Sequence, residues 1–126
     1  MSLHVTLDAA RTVTTPAATM RTLVTPSTSP GMEVAVWRTD LPAGAVGPRH
    51  AIDGDQFVVV LSGALTVEID GTAYDVGAGD GILLPGGAQR VISTATSEGA
   101  ATITVGNPGA FATVGDNAPV PVPWTA

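Results

Sequence analysis

The chain has 126 residues and a formal net charge of −6, long enough for one compact domain with a real core and too acidic to be drawn to a phosphate backbone. Its five basic residues are all arginine (Arg11, Arg21, Arg38, Arg49 and Arg90), and it has neither lysine nor cysteine. Lysine Schiff bases, thiolate nucleophiles, disulfides and zinc–sulfur sites are thereby excluded. Without a basic stripe, no nucleic-acid partner is expected. The start of the chain shows no basic segment leading into an apolar one, and no apolar run nears the roughly 18 residues of a membrane span, so no membrane association is expected and a cytoplasmic location is.

Apolar residues make up 44% of the chain, with 15 glycines and 10 prolines spread along it, a composition suited to many short strands joined by turns. Residues 1–31 read as an arm with edge strands. Residues 7–11 carry the one weak helical period, too short to stand alone. Strands are predicted over 19–24 and, after Pro30-Gly31, over 33–40. Another covers 56–61, following the Asp53-Gly54-Asp55 loop, which reads as a solvated turn rather than a calcium loop.

The clearest element is the hairpin over 64–76, because Asp70-Gly71 is a preferred dipeptide for a two-residue turn. Its register places Leu65 opposite Val76, Val67 opposite Tyr74 and Ile69 opposite Thr72 on one side, with Thr66, Glu68, Ala73 and Asp75 on the other. Strands over 81–84, 90–95 and 101–105 follow, separated by glycine-rich turns in which Asp80 caps. Residues 107–126 form a proline-rich strap, extended at an edge and anchored by Trp124. The expectation is a single all-β domain over 1–126.

Two spacings carry chemistry. Gly44, His50, Ile52, Gln56 and Gly63 stand at the spacing Gly, five residues, His, one, His, three, Glu, six, Gly. Gly79, Pro85, Gly87, Arg90 and Thr94 stand at Gly, five residues, Pro, one, Gly, two, His, three, Asn. In order and flanking a hairpin, they resemble the two motifs of the cupin superfamily, a resemblance that covers residues 40–106 and implies that the core motifs lie there. The resemblance implies a jelly-roll β-barrel (a double-stranded β-helix) and usually a homodimer. It also implies a divalent-metal site on two histidines, a carboxylate and a third histidine.

The chain departs from that ligand set. His50 alone keeps its type, while Ile52 has no lone pair, Gln56 offers a neutral amide and Arg90 brings a fixed positive charge. A dication held about 4 to 5 Å from a guanidinium is repelled by several kcal/mol at an effective dielectric near 20. No metal or other cofactor is therefore expected, the alternative being a site rebuilt from Asp53, Asp55 or Gln89.

What remains is a pocket with His50, Gln56 and Arg90 against walls that alternation assigns to Ile52, Val58, Val60, Ile82, Leu84 and Ile92. Arg90 would clamp an anionic or carbonyl oxygen, Gln56 would read a carbonyl or hydroxyl, and His50 would move a proton. Each has a plain alternative: a hydrogen-bonded core histidine for His50, a structural bond for Gln56, and for Arg90 an ion pair with Asp53 or Asp55. Trp37 and Tyr74 read as core or rim packing and His4 as structural.

The functional readings are a metal-independent isomerase, epimerase or cyclase, as the metal-free sugar-nucleotide epimerases of the superfamily suggest, or a non-catalytic binding module. A metal-dependent oxygenase with unconventional ligands is a third. The arginine-only, alanine- and glycine-rich composition suggests a GC-rich bacterial source.

Overall fold

The computed structural model describes residues 3–126. The described residues form strands β1 (Arg11–Thr14), β2 (Thr19–Val24), β3 (Ala35–Leu41), β4 (Ala51–Ile52), β5 (Gln56–Ile69), β6 (Thr72–Gly77), β7 (Gly81–Leu84), β8 (Arg90–Ser93), β9 (Ala100–Gly106), β10 (Phe111–Thr113) and β11 (Val120–Pro121). One 3-10 turn, Pro123–Thr125, is the sole helical element among them. All pairings are antiparallel, in the order β1-β2-β3-β9-β5-β6, with β7 and β8 also on β5 and a smaller sheet β11-β10-β4. This is a jelly-roll β-barrel. Among the described residues no helix is long and apolar enough to cross a membrane.

The hairpin has the expected register, with Leu65 opposite Val76, Val67 opposite Tyr74 and Ile69 opposite Thr72. Its turn requires positive φ, found at Asp70 (47°) and Gly71 (87°). The apolar face is buried at Leu65, Val67 and Val76. Tyr74, near the turn at the start of the outermost strand β6, departs from it, being 46% exposed although Val67 opposite is buried.

The strands expected over 56–61 and in the first arm of the hairpin are one element. β5 runs unbroken for 14 residues because its pairing with β9 shifts by one residue between Val60 and Ser62. Such a bulge moves the inward face from even to odd positions. Gln56, Val58 and Val60 are buried before it, Leu65 and Val67 after it. Gly63 follows with φ +71°, and a Cβ there would stand 2.0 Å from the Gly99 carbonyl oxygen.

The largest core cluster joins Val58, Val60, Leu65, Val67, Val76, Leu84 and Ala100. Two smaller ones, Met20–Ala35–Trp37 and Ile52–Ala110–Val122, share Trp124 as a packed neighbour. The helical period at 7–11 resolves into one turn, with the Ala10 amide bonded to the Leu7 carbonyl, followed by β1. In the tail, Val120 and Pro121 lie extended on the edge of β10, and Pro123–Thr125 turn into the 3-10 helix.

Gly63→Ala adds a clash to a left-handed backbone and should destabilise the protein by about 3 kcal/mol or more. Urea unfolding of the variant beside the parent checks this. A loss below 1 kcal/mol would show that the bulge yields more readily than its geometry implies.

Candidate functional site

A cavity of about 790 Å³ lies inside the barrel, with walls that include Trp37, Ile52, Val58, Leu65, Leu84 and Ile92. Its polar corner is assembled by backbone pairing. The His50 amide donates to the Arg90 carbonyl (3.1 Å) and the Arg90 amide to the His50 carbonyl (2.8 Å). Residues so paired across antiparallel strands present their side chains on one face, so His50 and Arg90 enter the barrel together. Gln56 arrives from the start of β5, opposite Leu84 and Gly106. A Cβ at Gly106 would lie 3.0 Å from the Gln56 Cγ and 3.5 Å from the Trp37 Cη2, so the glycine gives the amide its room.

Arg90 is only 5% exposed. Its Nη2 donates to Gln56 Oε1 at 2.6 Å and its Nε to His50 Nε2 at 3.4 Å. Its Nη1 is buried with no hydrogen-bond partner. Burial pulls its pKa down to about 10, which leaves the group charged at neutral pH.

His50 Nδ1 lies 2.8 Å from the Pro48 carbonyl oxygen. A carbonyl can only accept, so Nδ1 carries the proton, and the Nε2 lone pair of the neutral ring is the acceptor of the long bond from Arg90 Nε. Burial pushes the His50 pKa below its usual 6.5, the Pro48 bond opposes this, and the Arg90 charge pushes it further down. The ring is a neutral base at physiological pH.

The residues expected to form the site are largely brought together. His50, Ile52, Gln56, Val58, Leu84, Arg90 and Ile92 all line the cavity. Ile82 and Val60 do not, and their placement on the wall is corrected: Val60 belongs to the main core cluster and Ile82 packs against it, outside the cavity lining. The ion pair considered for Arg90 does not form. Asp53 Oδ1 instead accepts from the Phe111 amide (3.1 Å) and Asp55 Oδ1 from the Gly86 amide (2.7 Å), so each carboxylate serves a loop. Asp80 caps its turn through the Gly77 amide.

Sequence reasoning missed one wall and the closing segment. Trp37, assigned to packing, also faces the cavity, as do Thr39, Thr102 and Thr104 from β3 and β9. Their shared odd and even parities along 33–40 and 101–105 were a usable signal. Val122 and Trp124 of the tail close the cavity, and nothing in the tail's own sequence marked that role.

The metal that the fold family implies does not fit this corner. Its positions hold an isoleucine packed among Ala110 and Val122, a buried guanidinium with a donor still unmet, and a histidine whose Nε2 faces that guanidinium's Nε–H. Among the described residues no three His, Asp or Glu side chains converge. The corner offers donors and a positive charge, which complement an anion.

Fold and cavity together define a small β-barrel protein with an internal small-molecule-sized chamber. Residues 37–107 match the cupin domain family, and the chain belongs to that family. No curated protein sequence is significantly similar. Among solved structures, the polyketide cyclase RemF from Streptomyces resistomycificus is similar at 19% identity and TM-score 0.73, over 85% of this chain and 80% of that one. A sugar phosphate isomerase of the cupin superfamily from Silicibacter pomeroyi is similar at 22% identity and TM-score 0.70, over 90% and 82%. A conserved protein of unknown function from Streptococcus pyogenes shares 28% identity at TM-score 0.58, over 70% and 71%.

The His50 environment fixes a pH signature. A ring held below 6.5 in the fold takes up its proton later than in the unfolded chain, so the stability tied to its neutral form is complete above about 6.5 and lost as pH falls through the window beneath it. The melting temperature should therefore fall more steeply between about pH 6.5 and 5 in the parent than in His50→Gln. Parallel profiles would mean that His50 titrates as it does in water.

Proposed function

We propose that this cupin takes an anionic or carbonyl-bearing small molecule into its barrel and acts on it, without metal, as an isomerase, epimerase or cyclase. One observation carries the reading: a histidine lone pair lies beside a buried guanidinium that has no carboxylate partner. That pairing suits abstraction of a proton next to a carbonyl. As the Arg90 Nε–H turns from His50 Nε2 to the substrate oxygen, Nε2 takes the proton, the C–H electron pair becomes the enolate double bond, and the carbonyl electrons move onto oxygen. Arg90 stabilises the oxyanion, helped by Gln56. Return of the proton from His50 to a different carbon or face completes an isomerisation or epimerisation. A polyketide cyclase and a sugar phosphate isomerase among the similar folds support this class by analogy alone.

Non-catalytic binding is the second reading, favoured by the place of Tyr74. The chain's single tyrosine is 46% exposed and does not line the cavity, which leaves no phenol to act as a second proton donor. The protein would then sense or sequester its ligand. A homodimer in the cytoplasm is the setting proposed for either role.

Phenylpyruvate in D₂O tests both, since its methylene protons exchange through an enol and NMR reads exchange and binding separately. Accelerated exchange that falls about 100-fold or more in His50→Ala, with binding retained, is the expected result. Binding without exchange supports the second reading, and exchange unchanged in His50→Ala overturns the catalytic one. Metal analysis of protein purified without chelators or metal-affinity resin, before and after incubation with Fe, Mn, Ni and Zn salts and desalting, should give well under one ion per chain. One tightly held ion per chain would overturn the metal-free mechanism.

A further inference from the structure

We infer that the cavity selects an amphipathic monoanion, a single carboxylate or enolate on an apolar body of ring size or larger, and that Gln56 is the specificity-determining residue that keeps the anion's place open. This rests on the proposed function and narrows its ligand class. The first support is charge. Arg90 is the one charged side chain among the cavity-lining residues, and the lining contains no aspartate or glutamate. Elsewhere Arg21 and Arg38 share Asp40 (3.1 and 2.9 Å), and Arg49 holds Glu68 (2.8 Å). Arg90 has only neutral partners, the Gln56 oxygen and the His50 ring nitrogen.

One negative charge therefore neutralises the chamber. A phosphate monoester, near −2 at neutral pH, would leave a net charge among apolar walls, where desolvation opposes it. A ligand with no charge would leave the guanidinium uncompensated. An oxygen seated against Arg90 also supplies an acceptor for Nη1 once the side chains over it rotate slightly, ending the one unmet buried side-chain donor among the described residues.

The second support is shape. About 790 Å³ of mostly apolar chamber is far more than a carboxylate needs. Exposed Val46, Val114 and Val120 continue the apolar lining outward, so the body of the ligand extends that way. Thr39 and Thr104 put hydroxyls on the wall, where a neutral oxygen on that body can be met.

Gln56 sets the choice. A carboxylate with the same shape at this position would make a buried ion pair with Arg90, cancel its charge and repel the ligand's own. The amide holds Nη2 in position through its oxygen without neutralising it.

Four probes at pH 7.5 test the inference: 2-naphthoate, 2-naphthamide, 2-naphthyl phosphate and acetate. The chain's two tryptophans, Trp37 and Trp124, both line the cavity, so their indole N–H signals in a ¹H–¹⁵N spectrum report occupancy. Naphthoate should shift both signals, with the amide and the phosphate binding at least tenfold more weakly and acetate not at millimolar concentration. Gln56→Glu should weaken naphthoate at least tenfold while leaving the amide within about twofold. If that variant fails to fold, Arg90→Met should erase the preference for carboxylate over amide. Equal binding of amide and carboxylate, preference for the phosphate, or strong naphthoate binding by a folded Gln56→Glu overturns the monoanion inference but leaves a ligand-binding chamber. No shift from any probe overturns both.

Discussion

The geometry of this protein depends on one strand that belongs to both walls of the barrel. Drawn out straight, the 13 steps from Gln56 to Ile69 would span about 43 Å. Yet Arg90, paired opposite Ile69, places its guanidinium 2.6 Å from Gln56. β5 must therefore curl back over the core, and the bulge at Val60–Ser62 is where its pairing changes step. The same bulge restores the alternation. Had the strand continued without it, Leu65 and Val67 would have faced solvent and the hairpin could not have closed the far wall. One local irregularity thus serves the burial of the core and the meeting of the polar corner.

The electrostatics of that corner follow from what surrounds it. A guanidinium buried among apolar side chains is costly unless its donors are met, and here two of the three nitrogens are met by neutral groups. The lowered Arg90 pKa expresses that cost, yet at about 10 it still leaves the charge in place. Burial, with a smaller push from the Arg90 charge, lowers the His50 pKa, so the ring beside the guanidinium stays neutral. A carboxylate within reach would have relieved Arg90 and raised the histidine's affinity for protons. Asp53 and Asp55 lie near in sequence but are engaged by the backbone amides of Phe111 and Gly86, which keeps the corner positive.

What could be read from the sequence had a local cause. Asp70-Gly71 specifies a turn geometry that few other pairs allow, so the hairpin and its register were legible. The spaced glycines and Pro85 placed His50, Gln56 and Arg90 at strand ends that converge. The small sheet was not legible, because residues 51–52 find residues 112–113 across sixty positions with no periodicity to announce it. Ile82 shows the limit of alternation: parity selects the inward face, but only depth along the barrel decides whether an inward side chain meets the cavity or the packed end. Tyr74 shows another: Val67 opposite it is buried, yet Tyr74, near the turn on the outermost strand β6, is exposed, so a place on the apolar face does not by itself ensure burial.

The closing segment has a composition suited to its place. A wall of ordinary backbone beside an apolar chamber would present amide donors that need acceptors. Pro121 and Pro123 have none to present. The fixing is done at the segment's ends: the Thr22 hydroxyl donates to the Trp124 carbonyl (2.8 Å), the Gly109 amide to the Thr125 carbonyl (2.8 Å), and the Ala110 amide to the Thr125 hydroxyl (3.0 Å). Trp124 then packs against both smaller clusters, joining the strap to β2 and β3 on one side and to β4 and β10 on the other. Closed in this way, the chamber gains apolar surface without new polar demands, and its charged chemistry stays confined to the corner where β8 meets the start of β5.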